Sequence, residues 1–352
     1  EVNHYNITGN GGTITSSYNY YWNRTTGIVT EILMHQEMTM GNVTTWMNVQ
    51  VEIVAVGISV NDYPVHNLNT GLNYTTIQEA IDALETLDGH IIFVENGTYC
   101  ENLVIHKSLS LMGENRSNAI IDGGGSGDVV QITANNTIIS GFIIQNSGYN
   151  LPDSGVHVLS TNVTIQDSSV TNRYFAILLE SSSDNNLSGN VIDNNQYSRL
   201  VLGLEPSNYI HSIDTSNLVN GKPIYYLVNQ KDIVINPITH SQVGYLGLIN
   251  CVNVTVKNLT LTDQGQGLLV ANTNDSRITD NDITNNFAGI FFFSSSNYTV
   301  TGNNITNNSD GIIVGSVLRD LASNNTISGN NFANNVKGIY LGFSSNNRIS
   351  GN

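Results

Sequence analysis

An all-β parallel solenoid is the fold this sequence predicts, and three observations predict it. The first is a repeat. GLLVANTNDSRITDNDITNNFA from Gly267, GIFFFSSSNYTVTGNNITNNSD from Gly289 and GIIVGSVLRDLASNNTISGNNFANNVK from Gly311 align, and GIYLGFSSNNRISGN from Gly338 starts another copy. Looser copies begin at Val129, Gly155, Ala176 and Gly244. The second is the content of each copy: short β-rich triplets such as Ile290-Phe291-Phe292, separated by Asn, Ser and Gly rather than by helical runs of Ala, Leu, Glu and Lys. The third is composition. Only 11% of the 352 residues are charged, while 53 are Asn, so neutral amides stand where charges ordinarily would. With 39% hydrophobic residues the chain still fills a core, which excludes a disordered segment.

Taken in order, residues 1–60 come first. Segments around Thr13–Tyr21, Ile28–Thr39 and Val43–Val56 are strand-like and predict an antiparallel meander. It resembles the final strands of β-rich domains of archaeal exoproteins, a resemblance that implies the end of a larger domain. Tyr18, Tyr20, Tyr21 and Trp22 suit a sheet face better than a sugar platform. Residues 61–73 form a polar linker. Thr76-Ile77-Gln78-Glu79 is a capping-box sequence, with Ile77, Ala80, Ile81, Leu84 and Leu87 on one helical face and Gly89 closing it. Such a helix would plug the entrance of a solenoid spanning 74–352.

Within the solenoid, equivalent residues of successive coils form ladders about 4.8 Å apart. Ile278, Val300 and Ile327 should stack inside, as should Ile283, Ile305 and Phe332. Asn281, Asn303 and Asn330 share a turn column, where Asn tolerates the left-handed conformation and bonds the Asn above and below. Residues 203–242 interrupt the repeat, with three of the five prolines and an Asn-Gly-Lys-Pro turn, and predict a projecting flap. Its His211, Asp214, Tyr225, Tyr226 and His240 are the candidate ligand-binding residues.

TTIQEAIDAL, IIFVENGTYCENLVIHKSLSLMGEN and AIIDGGG, followed by the GI(x)L…SSSNN(x)I(x)GN(x)I(x)NN repeats, resemble the right-handed parallel β-helix proteins of the NosD type. These belong to a wider pectate-lyase-like group of carbohydrate-binding and sugar-hydrolase β-helices. The resemblance covers roughly Tyr74 to Asn352. It implies a right-handed solenoid, and its Asn-rich form implies a secreted archaeal surface protein. Nothing in the chain carries the copper-maturation role of NosD itself.

Catalysis on such a fold needs carboxylates converging from neighbouring coils. Register places Asp280 between Asn258 and Gly302, and Asp282 between Thr260 and Asn304, so no two of these acids stack. Asp122-Gly-Gly-Gly-Ser-Gly-Asp128 resembles a Ca²⁺-binding glycine repeat but occurs once, with spacing one short. Distant loops bringing Asp122, Asp128 or Asp153 together would supply carboxylates that the register does not stack, and a lyase or hydrolase alternative places its site near the 203–242 insertion. No catalytic residues, metal ligands or cofactor are assigned, and the balance leans away from an enzyme.

The net charge of −16 disfavours nucleic-acid partners, and no apolar run spans a bilayer. Cys100 and Cys251 lie several coils apart and predict two buried free thiols. Sixteen Asn-x-Ser/Thr sequons mark candidate glycosylation sites: Asn6, Asn23, Asn42, Asn73, Asn96, Asn115, Asn135, Asn162, Asn186, Asn253, Asn258, Asn274, Asn297, Asn304, Asn307 and Asn324. Ser350-Gly351-Asn352 matches mid-coil Ser328-Gly329-Asn330, so the repeat itself predicts continuation beyond 352, or cover by another subunit. The function these readings predict is an extracellular or cell-surface scaffold, structural or adhesive, self-associating and contacting surface glycans. A glycan-binding module and a polysaccharide lyase or hydrolase are the alternatives.

Overall fold

The computed structural model describes residues 63–171, 174–197, 201–315 and 322–352, together with the backbone of strands Val2–Gly9, Gly12–Trp22, Val29–Met40 and Val43–Glu52. Those four strands pair antiparallel in chain order, within a unit spanning Glu1–Asp62. The side chains of Tyr18, Tyr20, Tyr21, Trp22, Asn6, Asn23 and Asn42 lie outside the described residues.

Tyr63–Asn352 is a second unit, an all-β parallel solenoid of the right-handed type with about 11 turns. A short helix, Ile77–Asp82, precedes the coils; Thr76 accepts from the Glu79 amide, and Glu101 accepts from the Ile77 and Gln78 amides at 2.9 Å. It is shorter than the sequence suggests. Thr86 Oγ1 donates to Ala80 O, and the backbone turns extended at Ala83, which leaves Leu84 and Leu87 exposed. The strand Val65–Asn67 falls inside the segment read as a linker and pairs antiparallel with Ile91–Val94.

From Ile91 to Leu202 each coil contributes one strand to each of three sheets, paired in parallel. Ile91–Val94, Gly97–Cys100 and Leu103–Ile105 make the first coil, and the next stacks on it in register, Leu111 on Ile92, Ile121 on Tyr99 and Val130 on Leu103. Most inward residues are Ile, Val and Leu, and the β-branched Ile and Val among them fill a pleated face with little loss of rotamer freedom.

Residues 203–242 do not project as a flap. They complete the first stack and start a second. Ser212–Ile213 and Leu218–Val219 are coil strands, and Leu218–Val219 turns through Asn220-Gly221 into the antiparallel strand Lys222–Val228. Both turn residues have positive φ, 48° and 73°, as a two-residue hairpin matched to strand twist requires. Parallel pairing then resumes on Lys222–Val228, with Tyr245–Ile249, Gln266–Ala271, Ala288–Phe293, Asp310–Gly315 and Lys337–Gly342 stacked in turn.

The reversal moves the core to the other face of the sheet. Ile224 and Tyr226 pack into the first core, while Tyr225 and Leu227 pack against the second, which holds Leu246, Leu248, Leu268, Val270, Ile290 and Phe292. Reversing strand direction and core side together leaves the sense of coiling unchanged. The other face of this sheet stays apolar and joins the first core through Tyr245, Ile249, Leu269, Ala271 and Phe293. Tyr209, fully buried at the end of the 3₁₀ turn Pro206–Tyr209, lies 4.8 Å from Phe293 between ring centroids, and its carbonyl accepts from the Tyr226 hydroxyl at 2.6 Å.

The expected columns form. Ile278, Val300 and Ile327 are stacked and fully buried, as are Ile283 and Ile305, with Phe332 half-buried on the last rung. The turn column divides its two tasks between neighbours. Positive φ falls on Asp280, Gly302 and Gly329, and the following Asn281, Asn303 and Asn330 point inward as a buried amide ladder. Asn303 Nδ2 donates to Ile278 O, Thr301 O and Asn330 Oδ1, and its Oδ1 accepts from the Asn281 amide at 3.0 Å and Asn281 Nδ2 at 2.9 Å. A second ladder runs through Asn286, Asn308 and Asn335.

Candidate functional site

Two surface clefts carry the chemically varied side chains of the solenoid. One opens beside the second stack. Asn236 Oδ1 accepts from the Ile238 and Thr239 amides, and Thr239 Oγ1 donates to Val234 O, which fixes a tight turn with Ile238 exposed at its tip. The turn delivers His240 onto Tyr225, edge to face at 4.7 Å, beside a cavity of about 230 Å³ lined by Lys222, Pro237, Gln242, Val243 and Asn258. Burial lowers the His240 pKa from its ordinary value.

The other cleft, about 270 Å³, lies along the first stack between Asn102, Val104, Ser126, Asp128 and Gln131. Its floor is the sheet containing Leu103–Ile105, Val130–Ile132, Ser154–Val158 and Phe175–Glu180, in which Val104, Gln131, His157 and Leu178 are successive partners. His157 is buried, its side chain 6% exposed, with Nδ1 2.8 Å from Asp128 Oδ2 and Nε2 2.9 Å from Glu180 Oε2. Asp128 Oδ1 also accepts from the Ser154 amide and hydroxyl, each at 2.7 Å.

Burial alone would raise the Asp128 pKa, but hydrogen bonds from His157 and Ser154 and the imidazole charge outweigh it and hold it below the carboxylate range. Burial alone would lower that of His157, and the two carboxylates together raise it instead.

The five candidate ligand-binding residues separate into three places. Tyr225 and Tyr226 are neighbours on one strand, so they face opposite sides. Tyr225 joins His240 at the cleft, whereas Tyr226 is buried near His211, 6.2 Å between ring centroids. His211 is a structural group: Nε2 lies 2.9 Å from Asn208 O, Nδ1 accepts from the Asn185 amide, and burial pushes its pKa down to about 4. Asp214 stands apart, accepting from the Ser216 amide and hydroxyl and from Asn217 Nδ2 as a turn cap.

Asp122, Asp128 and Asp153 take separate partners. Asp122 accepts from Gln145 and Asn146, Asp128 engages His157, and Asp153 accepts from the Asn150 amide. Among the described residues no group of three or more His, Cys, Asp or Glu side chains is arranged to hold a metal ion. Both cysteines are free, but Cys100 is exposed, at the end of an outward-facing strand position. Cys251 is buried as a rung below Thr273 and Ser295; its amide donates to Thr273 Oγ1 and its thiol faces Leu227 O and Ile249 O.

His157 and Glu180 escape a reading that compares only acids with acids. The available signal was a lone histidine in the outward register of a strand whose coil neighbours are Gln131 and Leu178.

Residues 207–352 match the family described as "Periplasmic copper-binding protein (NosD)". A "Cell surface glycoprotein" of Methanothermus fervidus is 43% identical over 111 residues, 30% of this chain; the matched stretch spans 18% of that relative's length. Among solved structures, the chain is similar to a pectin methylesterase in complex with hexasaccharide VII, at 12% identity and TM-score 0.31, covering 67% of this chain and 78% of that one. It is also similar to the A-module of the Azotobacter vinelandii mannuronan C-5 epimerase AlgE4, at 16% identity and TM-score 0.30, covering 78% and 95%. Among the described residues of the matched region, no three His, Cys, Asp or Glu side chains gather as a donor set for the copper named in the family description. His211 is spent on the backbone, His240 stacks on Tyr225, and Cys251 is a ladder rung.

Proposed function

We propose that this protein is a cell-surface β-solenoid serving as a structural or adhesive scaffold, glycosylated at its exposed sequons and associating with copies of itself. The observation that carries the reading is the amide ladder. Side chains of the inner turns are committed to the coil above and below, as in Asn303, which suits a rigid spacer built by repetition. The relative named as a cell surface glycoprotein supports the location. The helix Ile77–Asp82 serves in this reading as the entrance plug, with Ile77, Ala80 and Ile81 buried.

Antibody labelling of intact native cells, read by electron microscopy, tests the scaffold role. Dense, regular surface labelling is expected; label confined to the cell interior would overturn it. Sedimentation of the purified chain tests self-association, with concentration-dependent growth expected and a monomer at all concentrations contradicting it.

A glycan-binding role is the second reading, favoured by the cleft where Tyr225 and His240 meet Lys222 and Asn258. Glycan-array binding that Tyr225→Ala abolishes would establish it. Incubation with uronate-containing polymers should release no unsaturated products or reducing ends; turnover would instead select the lyase or hydrolase alternative.

A further inference from the structure

We infer that Asp128, His157 and Glu180 form a protonation-controlled latch, closed while His157 is an imidazolium and opened when it loses a proton. The geometry gives the proton count. Each ring nitrogen faces a carboxylate oxygen, at 2.8 Å and 2.9 Å. A neutral imidazole has one N–H, so one contact would set a lone pair against a lone pair. Both are hydrogen bonds only when two protons lie between the ring and the carboxyls, and imidazole is the more basic group.

The three residues come from three successive coils: Asp128 precedes Val130–Ile132, His157 lies in Ser154–Val158, and Glu180 ends Phe175–Glu180. The latch therefore ties those coils together by side chains, independently of backbone pairing. It also anchors the loop 123–129, which walls the 270 Å³ cleft through Ser126, Gly127 and Asp128. Asn102 Nδ2 holds the same loop from below, donating to Ser126 O and Asp128 O. Cleft shape and His157 protonation are thus one equilibrium.

The surroundings leave the assignment simple. The strand neighbours of His157 are Gln131 and Leu178, neither titratable. Asp153, on the adjoining loop, faces Gly148 and the Asn150 amide, and Asp122 is held by Gln145 and Asn146. Asp128 and Glu180 are the charged groups in contact with the ring.

The sign of the pH dependence follows. His157 has a raised pKa in the fold, so its contribution is complete below the ordinary value near 6.5 and is lost as pH rises through the raised one. Asp128 has a lowered pKa, so its contribution is present above the ordinary value near 3.8 and is lost as pH falls through the lowered one. The latch is strongest between about pH 4 and 6.5.

The test uses the full chain with ¹⁵N-histidine, following ring shifts from pH 5 to 9, together with urea unfolding of wild type and His157→Gln over the same range. His157 is expected to titrate above the ordinary value, with its loss of charge accompanied by faster hydrogen exchange at the Ser154 amide. The stability advantage over His157→Gln should shrink as pH rises. His211 works in the opposite sense but is present in both proteins and cancels in the difference. If His157→Gln does not fold, Glu180→Gln decides: removing one carboxylate charge should move the His157 midpoint down by about one pH unit or more. A wild-type midpoint at or below 6.5, or a midpoint indifferent to Glu180→Gln, overturns the latch.

Discussion

The two stacks satisfy the same backbone in different ways. From Tyr245 onward, most rungs recur at 22 residues, and one column of side chains accepting backbone N–H groups after another repeats: Asn281 to Asn303, Asn286 to Asn308, and the hydroxyl pair Thr273 to Ser295. In the first stack the loops 123–129 and 146–153 leave the coil at unequal lengths, and there an ionic run, Asp128 to His157 to Glu180, joins the amide contacts between coils. Where those loops shrink, the ladder returns, with Asn185 and Asn190 accepting from the Val163 and Ser168 amides at 22 residues' separation. A turn of constant length presents the same orphan amide to the same side chain in each coil, so one residue type solves it repeatedly. A turn of variable length does not, and the chemistry that collects there is particular to the place.

That contrast predicts where the molecule breaks. The largest effect is expected at the joint between the stacks. Tyr209 is fully buried, packs on Phe293 of the second stack, and exchanges hydrogen bonds between its hydroxyl and the Gly203 backbone. Tyr209→Ala should cost about 3–5 kcal/mol, as large aromatic truncations in cores do. It should also split one urea transition into two, since each stack has its own core. A single transition with unchanged midpoint would show that the joint carries little of the cooperativity.

Next comes the ladder itself. Asn303→Ala removes an acceptor from the Asn281 amide and a donor from Ile278 O, both inside the coil. Buried groups left unpaired cost about 1–3 kcal/mol each, so about 2–6 kcal/mol is expected, read from urea midpoints. The same substitution at exposed Asn304, whose Nδ2 donates only to Asp282, should fall within about 0.5 kcal/mol.

Smaller again is the glycine column that first revealed the repeat. A Cβ on Gly289 would lie 2.5 Å from Gly311 O, whereas one on Gly338 would meet nothing within 4 Å. Gly289→Ala should therefore cost about 1–3 kcal/mol, and Gly338→Ala close to none, by thermal melting. The recurring glycine answers a close approach of stacked strands rather than a need for positive φ.

These residues also mark how far the fold could be read in advance. The ladders of Ile278, Val300 and Ile327 and of Asn281, Asn303 and Asn330 were legible because a constant period puts equivalent residues in one column. The reversal at Asn220-Gly221 was legible only as a turn. That its far strand would carry the next sheet, with Tyr225 and Tyr226 facing different cores, depends on how two stacks meet, which no local pattern encodes. The same limit hid the latch, since Asp128 and His157 are 29 residues apart across a loop whose length belongs to no repeat. Tyr225 with His240 was half legible: the residues were singled out, but the Asn236 turn that joins them was not.

The sequons give the smallest effect and the sharpest separation of sequence from structure. Asn162, Asn253, Asn258, Asn297, Asn307 and Asn324 all have positive φ. In each, the middle residue of Asn-x-Ser/Thr is the inward one, Val163, Val254, Leu259, Tyr298, Asn308 or Asn325, and the hydroxyl residue follows it on the coil. The grammar of a coil turn therefore writes the motif whether or not a glycan is attached. Coil structure should then sort the sites. Asn253, Asn297 and Asn304 donate Nδ2 to Asp232, Asp275 and Asp282 of the preceding coil, whereas Asn96, Asn115 and Asn186 are exposed and donate no side-chain amide bond among the described residues. Glycopeptide mapping of native material should show higher occupancy in the second set than in the first. Occupancy equal in the two sets would mean that glycans are attached before the coils close, and that the sites are chosen by sequence alone.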